Sequence, residues 1–496
     1  MLYVQMLLST LVGLYMSRAV LNELGVEDYG VYNAVAGVVS MFGLLNISMS
    51  GTTARFITFE LGSGNPMGLK KLFSLSLTIH LLLGVLVVLI AESVGVWFVR
   101  HHMQIPVGRM EAAEWVLHGA VLTSFFSILN VPYNAMIVAH ERMNVFAYFS
   151  LIDVFIKLGL VLGMGLVEGD KLIYYAVALL VVHLVMQLLY GVYCFRCFEA
   201  SQTGPGWEKK KFNEMAAFAG WSLFGDSAAL LFTQGLNILL NVFFGPVVNA
   251  ARGIAVQVQG VLMRFIGSFQ MALNPQLTKS FASGEQAYMH KLIYASSKFS
   301  FLLFLGLSLP MWLEAKQVLY WWLNVVPAHT VSFLRIMLLV SLVDCLANPL
   351  VIAAKASGNI RHYQAVLGSL LLIIVPISYL LLKMGFRPES VFWVHLTVVC
   401  VGHYVRVRLV RPLVGLDVGE YLQQVIVKVV GVGLLAPIVP AIFHATMHEG
   451  IARFLAVGVL SVVSIGLVSW GVALDDGEKH LIRKQIRVFS KRSYEA

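Results

Sequence analysis

The chain has 496 residues, of which 58% are hydrophobic and only 12% are charged, and its mean hydropathy is +0.80. A soluble protein of this size could not hide so much apolar surface, so the composition excludes a soluble enzyme and indicates a polytopic membrane protein. The net charge of +9 has to be explained within that class.

Long apolar runs recur along the chain and have the length of a membrane-crossing helix, about 20 residues for a hydrocarbon core of roughly 30 Å. Their continuity excludes barrel strands, which alternate between apolar and polar residues. We therefore predict an all-α polytopic membrane protein with about 14 transmembrane helices. The predicted spans lie near 2–21, 30–50, 73–98, 113–137, 146–166, 172–195, 215–240, 247–273, 292–313, 331–352, 363–383, 390–410, 422–443 and 453–472.

Both chain ends are predicted to lie in the cytoplasm. Most of the 35 lysines and arginines fall in segments on the side of the C-terminus, and an even number of spans puts the N-terminus there too. This asymmetry accounts for the net positive charge, and we expect no nucleic-acid partner. The first apolar segment starts at Met1 without a basic lead-in or a cleavage site, so we expect a retained helix rather than a signal peptide. The abrupt start also suggests that the natural reading frame begins further upstream.

The stretch from Leu21 to Lys71 has a second copy that begins at Leu240, at an offset of about 220 residues. Duplication around hydrophobic helices is typical of transporters with two pseudo-symmetric halves and a substrate path between them. Five landmarks recur in order: Asn22 and Asn241, Thr58 and Thr278, Gly64 and Gly284, Lys71 and Lys291, and Pro132 and Pro349.

The repeat predicts the domain organisation. The polar stretch SQTGPGWEKKK is the natural linker between two six-helix lobes, and two further spans near the C-terminus have no counterpart in the first half. Basic residues and an i, i+4, i+7 apolar pattern in the tail suit either an amphipathic helix on the anionic leaflet or an unstructured basic tail. The predicted domains are 1–198 (first lobe), 199–214 (cytoplasmic linker), 215–412 (second lobe), 413–474 (two extra helices) and 475–496 (basic cytoplasmic tail).

Polar side chains form stripes on three predicted spans, where they are energetically expensive. Such stripes line an aqueous cavity or form hydrogen bonds between helices, and both interpretations use the same residue types. We favour a cavity. The stripes are Gln5, Ser9, Gly13 and Ser17 on the first span, Asp226, Gln234, Asn237 and Asn241 on the seventh, and Arg252, Gln259, Gln270 and Asn274 on the eighth.

Three acidic residues within spans are candidates for ion or proton coupling. Asp153 and Lys157 are one helical turn apart, so they form either a static ion pair or a relay. Asp226 and Asp344 have no basic residue within a turn of their own helix and are candidate titrating groups if they are buried. Pro132 and Pro349 occupy matching places in the two repeats and are candidate hinges, because proline removes a helical hydrogen bond.

Other functional motifs are weak or missing. Cys194 and Cys197 form a single C-x-x-C without a second ligand pair, so we predict no metal site. The sequence has no nucleotide-binding loop and no soluble catalytic domain, and we expect no enzymatic activity.

The segment SRAVLNELGVEDYGVYNAVAGVVSMF, followed by RFITFELGSGN, resembles the polysaccharide-transporter branch of the MOP (multidrug/oligosaccharidyl-lipid/polysaccharide, MATE-like) exporter superfamily, the Wzx-type flippases. The likeness extends over nearly the whole chain and includes the two-lobe plan. It implies alternating-access export of an undecaprenyl-pyrophosphate-linked oligosaccharide, a repeat unit of O-antigen, capsule or exopolysaccharide, across the bacterial cytoplasmic (inner) membrane. Membrane lipids and polysaccharide polymerase machinery are the expected partners. No cofactor is implied beyond Na⁺ or H⁺ as candidate coupling ions.

The resemblance also implies a cationic central cavity, with Arg18 and Arg264 at the positions of arginines in the first and eighth spans of relatives. Arginine matches phosphate with paired donors, so we expect these two residues to hold the pyrophosphate. Polar residues of the seventh and eighth spans are then expected to bind sugar hydroxyls: Gln234, Asn237, Asn241 and Gln259.

Two other functions were considered. A Na⁺- or H⁺-coupled multidrug antiporter of the MATE type is the alternative within the superfamily, but its cavity should be acidic, whereas the predicted spans contain more basic than acidic residues. A membrane-embedded glycosyltransferase or polymerase would need a large outer loop with acidic catalytic residues. The longest predicted outer loop, 99–112, is too short for that.

Overall fold

The structure, a computed structural model, describes residues 2–40, 42–103, 105–106, 108–480 and 483. Helices make up 88% of the chain, and the described residues contain no strand. The prediction of an all-α polytopic membrane protein is confirmed. Most of the predicted amphipathic tail, including residues 484–496, lies outside the described residues.

Twelve helices within the described residues are long and apolar enough to cross a membrane, where the sequence predicted about 14. The two predicted segments that are not among these twelve lie near 30–50 and 247–273. The first falls in Leu2–Ser40 and Gly43–Gly62, on either side of residue 41, which lies outside the described residues. The second falls in the helix Pro246–Ala282, whose amide and arginine side chains lower its hydropathy and include the polar stripe.

The chain folds into two compact units. Unit 1 comprises residues 1–227 and 278–284, and unit 2 comprises 228–277 and 285–496. Helices that belong wholly to unit 1 are α1 (Leu2–Ser40), α2 (Gly43–Gly62), α3 (Pro66–His102), α4 (Met110–Ala139), α5 (Met143–Leu166) and α6 (Lys171–Cys197).

Two long helices, α7 (Lys209–Phe244) and α8 (Pro246–Ala282), contribute residues to both units. Helix α7 begins inside the stretch expected as a linker, because Lys209–Lys211 continue into its first turn and Lys211 Nζ donates to Glu60 Oε1 at 2.5 Å. The remaining helices belong to unit 2: α9 (Gln286–Leu313), α10 (Ala315–Leu323), α11 (Thr330–Ser357), α12 (Arg361–Lys383), α13 (Glu389–Val414), α14 (Val418–Thr446) and α15 (Ile451–Ala473).

A kink at Gly25 separates the first predicted span from the second within α1. Its backbone has φ 77° and ψ 171°, a conformation that glycine adopts and other residues avoid. The chain therefore changes direction at Gly25, and helix continues on both sides of it. One non-helical residue takes the place of a loop between the two predicted spans.

The sequence repeat is visible in the backbone of two turns. Gly64, between α2 and α3, has φ 67°, and Gly284, between α8 and α9, has φ 77°. The preceding serines, Ser63 and Ser283, donate their backbone N–H to the carbonyl four residues earlier, at 2.9 and 2.8 Å. Each serine hydroxyl then donates to the carbonyl three residues earlier, at 2.9 and 3.3 Å. The matched Ser-Gly pairs thus encode the same helix-ending turn.

Unit 1 is held together by close helix packing and by ion pairs at helix ends. A β-carbon at Gly119 on α4 would lie 3.2 Å from the carbonyl oxygen of Ala176 on α6, a tight contact, so glycine favours this close approach of the two helices. Next to the first turn of α4, Arg109 contacts the carboxylates of Asp28 and Asp170, each with a shortest distance of 2.5 Å. One guanidinium therefore joins α1, α4 and α6.

Two ion clusters attach α14, α15 and the segment after α15 to the rest of unit 2, and the first of them is buried. At the end of α9, Glu314 accepts hydrogen bonds from His444 and Arg453, each at 2.8 Å. Further back on α9, Lys298 donates to Asp475 at 3.2 Å and to Glu478 at 2.8 Å. The two helices that the sequence left without a repeat partner are thus bonded to α9 at two separate places.

Candidate functional site

The two arginines expected to hold the pyrophosphate lie in different units. Arg18 is exposed on α1 in unit 1, and Arg264 is exposed on α8 in unit 2. Among the described residues neither side chain has a hydrogen-bond or ion-pair partner. Both guanidinium groups are therefore available to an anionic ligand.

The polar stripe of α1 forms hydrogen bonds within its own helix. Gln5 Nε2 donates to Ser9 Oγ at 3.2 Å, and Ser17 Oγ donates to the carbonyl of Gly13 at 3.0 Å. Within the part of the chain that the structure describes, the stripe makes no side-chain hydrogen bond to a neighbouring helix, as expected for a face that borders an open space rather than a packed interface.

A chain of hydrogen bonds links the stripes of α7 and α8 within unit 2. Asn237 Nδ2 donates to Gln234 Oε1 at 3.1 Å, and Asn237 Oδ1 accepts from Arg252 Nη1. The Nη2 group of Arg252 donates to the carbonyl of Thr233 at 3.1 Å. Arg252 is only 6% exposed, and its Nε is buried without a partner. The cluster is therefore cationic at its centre.

The sequence placed Arg252 on the polar stripe of the eighth span but did not single it out as a substrate-binding residue. Its spacing to Gln259 showed which face it shares, and did not show which groups it meets. The sequence signal for this contact is the amide pair Gln234 and Asn237. Once Asn237 donates to Gln234, its own amide oxygen needs a donor from a neighbouring helix, and Arg252 supplies it.

Other members of the α8 stripe bond to neighbouring helices. Gln259 Nε2 donates to Ser341 Oγ on α11 at 2.6 Å. Gln270 is buried, donates to Ser300 Oγ at 3.0 Å and accepts from Asn348 Nδ2 at 2.6 Å. Part of the α8 stripe thus forms interhelical bonds. On the α7 stripe, by contrast, Gln234 and Asn241 are exposed.

Asp153 and Lys157 lie in the wall of a cavity of about 390 Å³ in unit 1. Lys157 Nζ donates to Asp153 Oδ2 at 2.8 Å, and both side chains are about a quarter exposed. Polar groups from three other helices line the same cavity, namely Gln5, Asn130 and His183. The cavity therefore combines a partly hydrated ion pair with amide and imidazole groups.

The other two acidic residues singled out in the sequence lie in different units. Asp226 is half-buried near the end of the part of α7 that belongs to unit 1. Asp344 is half-buried on α11, and Arg406 of α13 acts on it electrostatically. Arg406 Nε also donates to the hydroxyl of Tyr363 at 3.0 Å. Asp344 thus has a basic neighbour that is distant in sequence.

The matched prolines lie inside long helices. Pro132 is buried in α4 and Pro349 is buried in α11, and each helix continues past its proline. Among the described residues, no group of three or more His, Cys, Asp or Glu side chains could hold a metal ion.

No protein-family model and no curated protein matches the sequence, but solved structures match its fold. One is the outward-facing conformation of a multidrug resistance MATE family transporter of the MOP superfamily, with a TM-score of 0.69 and 15% identity over 83% of this chain and 95% of that chain. Another, a MATE structure in the bent conformation, has a TM-score of 0.69 and 16% identity over 83% of this chain and 94% of that chain.

The chain has the MATE fold.

A third match with the MATE fold is a MOP superfamily transporter from Pyrococcus furiosus, described by a reverse polarity of its binding pocket that suggests a different function. It has a TM-score of 0.66 and 16% identity over 83% of this chain and 95% of that chain. At these identities the comparison shows the MATE fold and leaves the function and the substrate open.

Proposed function

We propose that this protein is a flippase that moves an undecaprenyl-pyrophosphate-linked oligosaccharide across the bacterial cytoplasmic membrane by alternating access. The observation that carries the proposal is the availability of Arg18 and Arg264, one in each unit, both exposed and with side chains that have no partner among the described residues. An unpaired cation on a membrane helix is expensive, at about 2.5–3.5 kcal/mol near the bilayer centre, and marks a functional position.

The other basic groups within the spans already have partners. Lys157 is bonded to Asp153 at 2.8 Å, and Lys428 is bonded to Gln424 at 2.7 Å and to Asp475. Arg335 donates to the carbonyls of Trp312 and Leu313. The partners of Arg335 and Arg252 are neutral carbonyl and amide groups, so these two residues keep their charge. The two free arginines add to this excess of positive charge, which suits an anionic substrate. Their planar guanidinium groups can bind the oxygens of a pyrophosphate with paired donors.

The exposed amides of Gln234 and Asn241 are proposed to bind sugar hydroxyls. Each hydroxyl that leaves water needs a partner, since an unpaired polar group costs on the order of 1–3 kcal/mol. In this scheme Asn237 orients the amide of Gln234, because the two side chains are already bonded to each other and Asn237 is bonded to Arg252. Gln259, held by Ser341, completes the polar wall of α8.

Asp153 and Lys157 are proposed as the coupling site, with Na⁺ or H⁺ as the ion. A titratable pair in the wall of a cavity can exchange its internal bond for a bond to an incoming cation, which a pair sealed in the core cannot. Asp226 and Asp344 are secondary candidates. Pro132 and Pro349 are proposed as the points at which α4 and α11 bend during the transport cycle.

The alternative is a Na⁺- or H⁺-coupled multidrug antiporter, and the MATE fold shared with a multidrug resistance transporter favours it. The excess of basic over acidic residues in the predicted spans weighs against it, because a cavity for cationic drugs should be acidic. We also propose cytoplasmic termini and polysaccharide polymerase machinery as a partner on the outer side.

One vesicle experiment separates the two functions. Proteoliposomes with a lipid-linked oligosaccharide in both leaflets are treated with a membrane-impermeant glycan-cleaving enzyme, with and without the protein. Protein-dependent cleavage of the inner-leaflet pool supports the flippase. If that pool stays protected while the same vesicles take up a cationic dye along a proton or sodium gradient, the protein is an antiporter.

A further inference from the structure

A cavity of about 860 Å³ lies in unit 2 away from the polar stripes of α7 and α8. It is formed where α9 ends, where α11 begins and where the connection from α12 enters α13. Its walls include Trp312, Arg335, Phe386, Arg387 and Trp393. The predicted topology puts this end of the helices on the extracytoplasmic side, and the volume is in the range of small-molecule sites.

The aromatic side chains give the cavity flat apolar surfaces. Trp393 is 51% exposed and Phe386 is 50% exposed, and both border the cavity. Tryptophans at a membrane interface often serve only as anchors. Here the guanidinium of Arg335 lies 5.1 Å from the ring centre of Trp312, so one of the rings is already part of a charged wall. Rings next to fixed charges suit the apolar C–H face of a sugar, whose edge carries polar groups.

Two arginines supply positive charge to this cavity. Arg335 Nε donates to the carbonyl of Trp312 at 3.0 Å, and Nη2 donates to the carbonyl of Leu313 at 3.4 Å, which fixes the guanidinium in place. Arg387 is exposed, and its side chain has no partner among the described residues. The one carboxylate in the wall, Glu389, is engaged by His329 Nδ1 at 2.6 Å.

Three buried polar atoms in the wall have no hydrogen-bond partner among the described residues: Trp312 Nε1, Glu389 Oε2 and Ser390 Oγ. Buried polar atoms in native proteins are normally paired, so a group of three around one cavity needs an explanation. Sugar hydroxyls both donate and accept hydrogen bonds and could pair all three. Neighbouring atoms cover each of them, so pairing with a ligand requires the covering side chains to rotate.

We infer that this cavity is an extracytoplasmic binding site for an acidic saccharide, with Trp393 and Phe386 contacting the sugar ring and Arg335 and Arg387 contacting its carboxylate. As part of a transport cycle the inference rests on the proposed flippase function, where the site would receive the glycan of a lipid-linked oligosaccharide as it emerges. Saccharide binding itself can be measured without transport.

The test is calorimetric titration of the full-length protein, in a neutral detergent, with a trisaccharide of galacturonic acid and with neutral maltotriose. We expect the acidic sugar to bind more tightly and Arg387→Gln to weaken its binding by about tenfold. The matched control is Lys383→Gln, an exposed cation at the end of α12, next to this connection, that does not line the cavity. It should bind as the wild type does.

Three outcomes would overturn the inference: no binding of the acidic trisaccharide, equal affinity for the neutral one, or an unchanged affinity in Arg387→Gln. Displacement of the saccharide by short-chain phosphatidylglycerol would make the cavity a lipid headgroup site instead. Flipping in vesicles without saccharide binding would refute this site and keep the proposed function, and binding without flipping would do the reverse.

Discussion

Glu314 and Arg453 form a buried ion pair with 2.8 Å between Oε2 and Nη2, and the side chain of Glu314 is completely inaccessible to solvent. The second carboxylate oxygen accepts from His444 at 2.8 Å. These partners are separated by more than a hundred residues in sequence, so the contact joins the end of α9 to both of the last two helices. The extra helices are thereby fixed parts of unit 2.

Removal of this carboxylate should destabilise the protein strongly. Glu314→Ala leaves Arg453 buried without its partner, and loss of one member of a buried pair typically costs about 3–5 kcal/mol. Thermal unfolding in detergent measures the effect. The control is Glu114→Ala, whose partner Arg100 is about half exposed, and such surface pairs contribute about 0–1 kcal/mol. Equal losses in the two variants would show that the Glu314 cluster does not hold the helices.

The same cluster should make stability depend on pH in the acid range. Burial alone would raise the pKa of Glu314, but hydrogen bonds from Arg453 and His444 outweigh it and hold the pKa below its ordinary value of 4.5. Because the folded-state pKa is the lower one, this contribution is present above the ordinary pKa and is lost as the pH falls through the folded-state pKa.

The pH dependence is tested by comparing unfolding of the wild type and Glu314→Gln between about pH 5 and pH 3. The wild type should lose stability more steeply than the variant over this range. Parallel curves would mean that another carboxylate causes the acid sensitivity. Asp170 is one such group. Burial raises its pKa, but hydrogen bonds from Arg109 and two backbone N–H groups lower it by more, so the net pKa is below the ordinary value.

Neutral variants of Asp153 and Lys157 distinguish a coupling site from a static pair. Asp153→Asn should keep the fold and abolish the dependence of transport on an ion gradient, because no carboxylate remains to exchange the cation. The double variant Asp153→Asn/Lys157→Gln should regain stability without regaining that dependence. Gradient-dependent transport by the double variant, measured in proteoliposomes, would reduce the pair to a structural contact.

Lys298 should hold the segment that follows α15. It is only 1% exposed and contacts Asp475 and Glu478, so Lys298→Met removes both bonds while its apolar chain still fills the site. We expect faster hydrogen exchange in residues 474–480 and little change in α9. Lys291→Met, an exposed position on the same helix, is the control. Unchanged exchange in Lys298→Met would mean that packing alone holds this segment.

The sequence predicted what depends on local pattern. Hydrophobic runs gave the helices, and the repeated Ser-Gly pairs at Gly64 and Gly284 correspond to two turns with the same positive φ and the same hydrogen bonds. Gly25 lies between the predicted spans 2–21 and 30–50. A glycine between two apolar segments is equally compatible with a loop and with a kink inside a helix, so the sequence did not predict the kink.

Contacts between distant helices could not be predicted from one sequence. Helical spacing shows which residues share a face, but it does not show what the face meets. The partners of Glu314, the bond from Arg252 to Asn237 and the proximity of Arg406 to Asp344 all depend on tertiary packing. The cluster on α7 and α8 was therefore predicted as two separate stripes, without the bonds that Arg252 makes to α7 or its burial.

Arg18 and Arg264 are proposed to bind the pyrophosphate of a lipid-linked oligosaccharide. The leaflet-accessibility assay with purified variants is the sharpest test of this binding. Arg18→Ala and Arg264→Ala should each abolish protein-dependent movement of the lipid between leaflets, with wild-type thermal stability, and Arg18→Lys should restore only part of it because lysine lacks the paired donors. The exposed, ion-paired Arg100 provides the control variant, Arg100→Ala, which should transport normally. Transport at the wild-type rate by Arg18→Ala and Arg264→Ala would contradict a role for these arginines in binding the substrate.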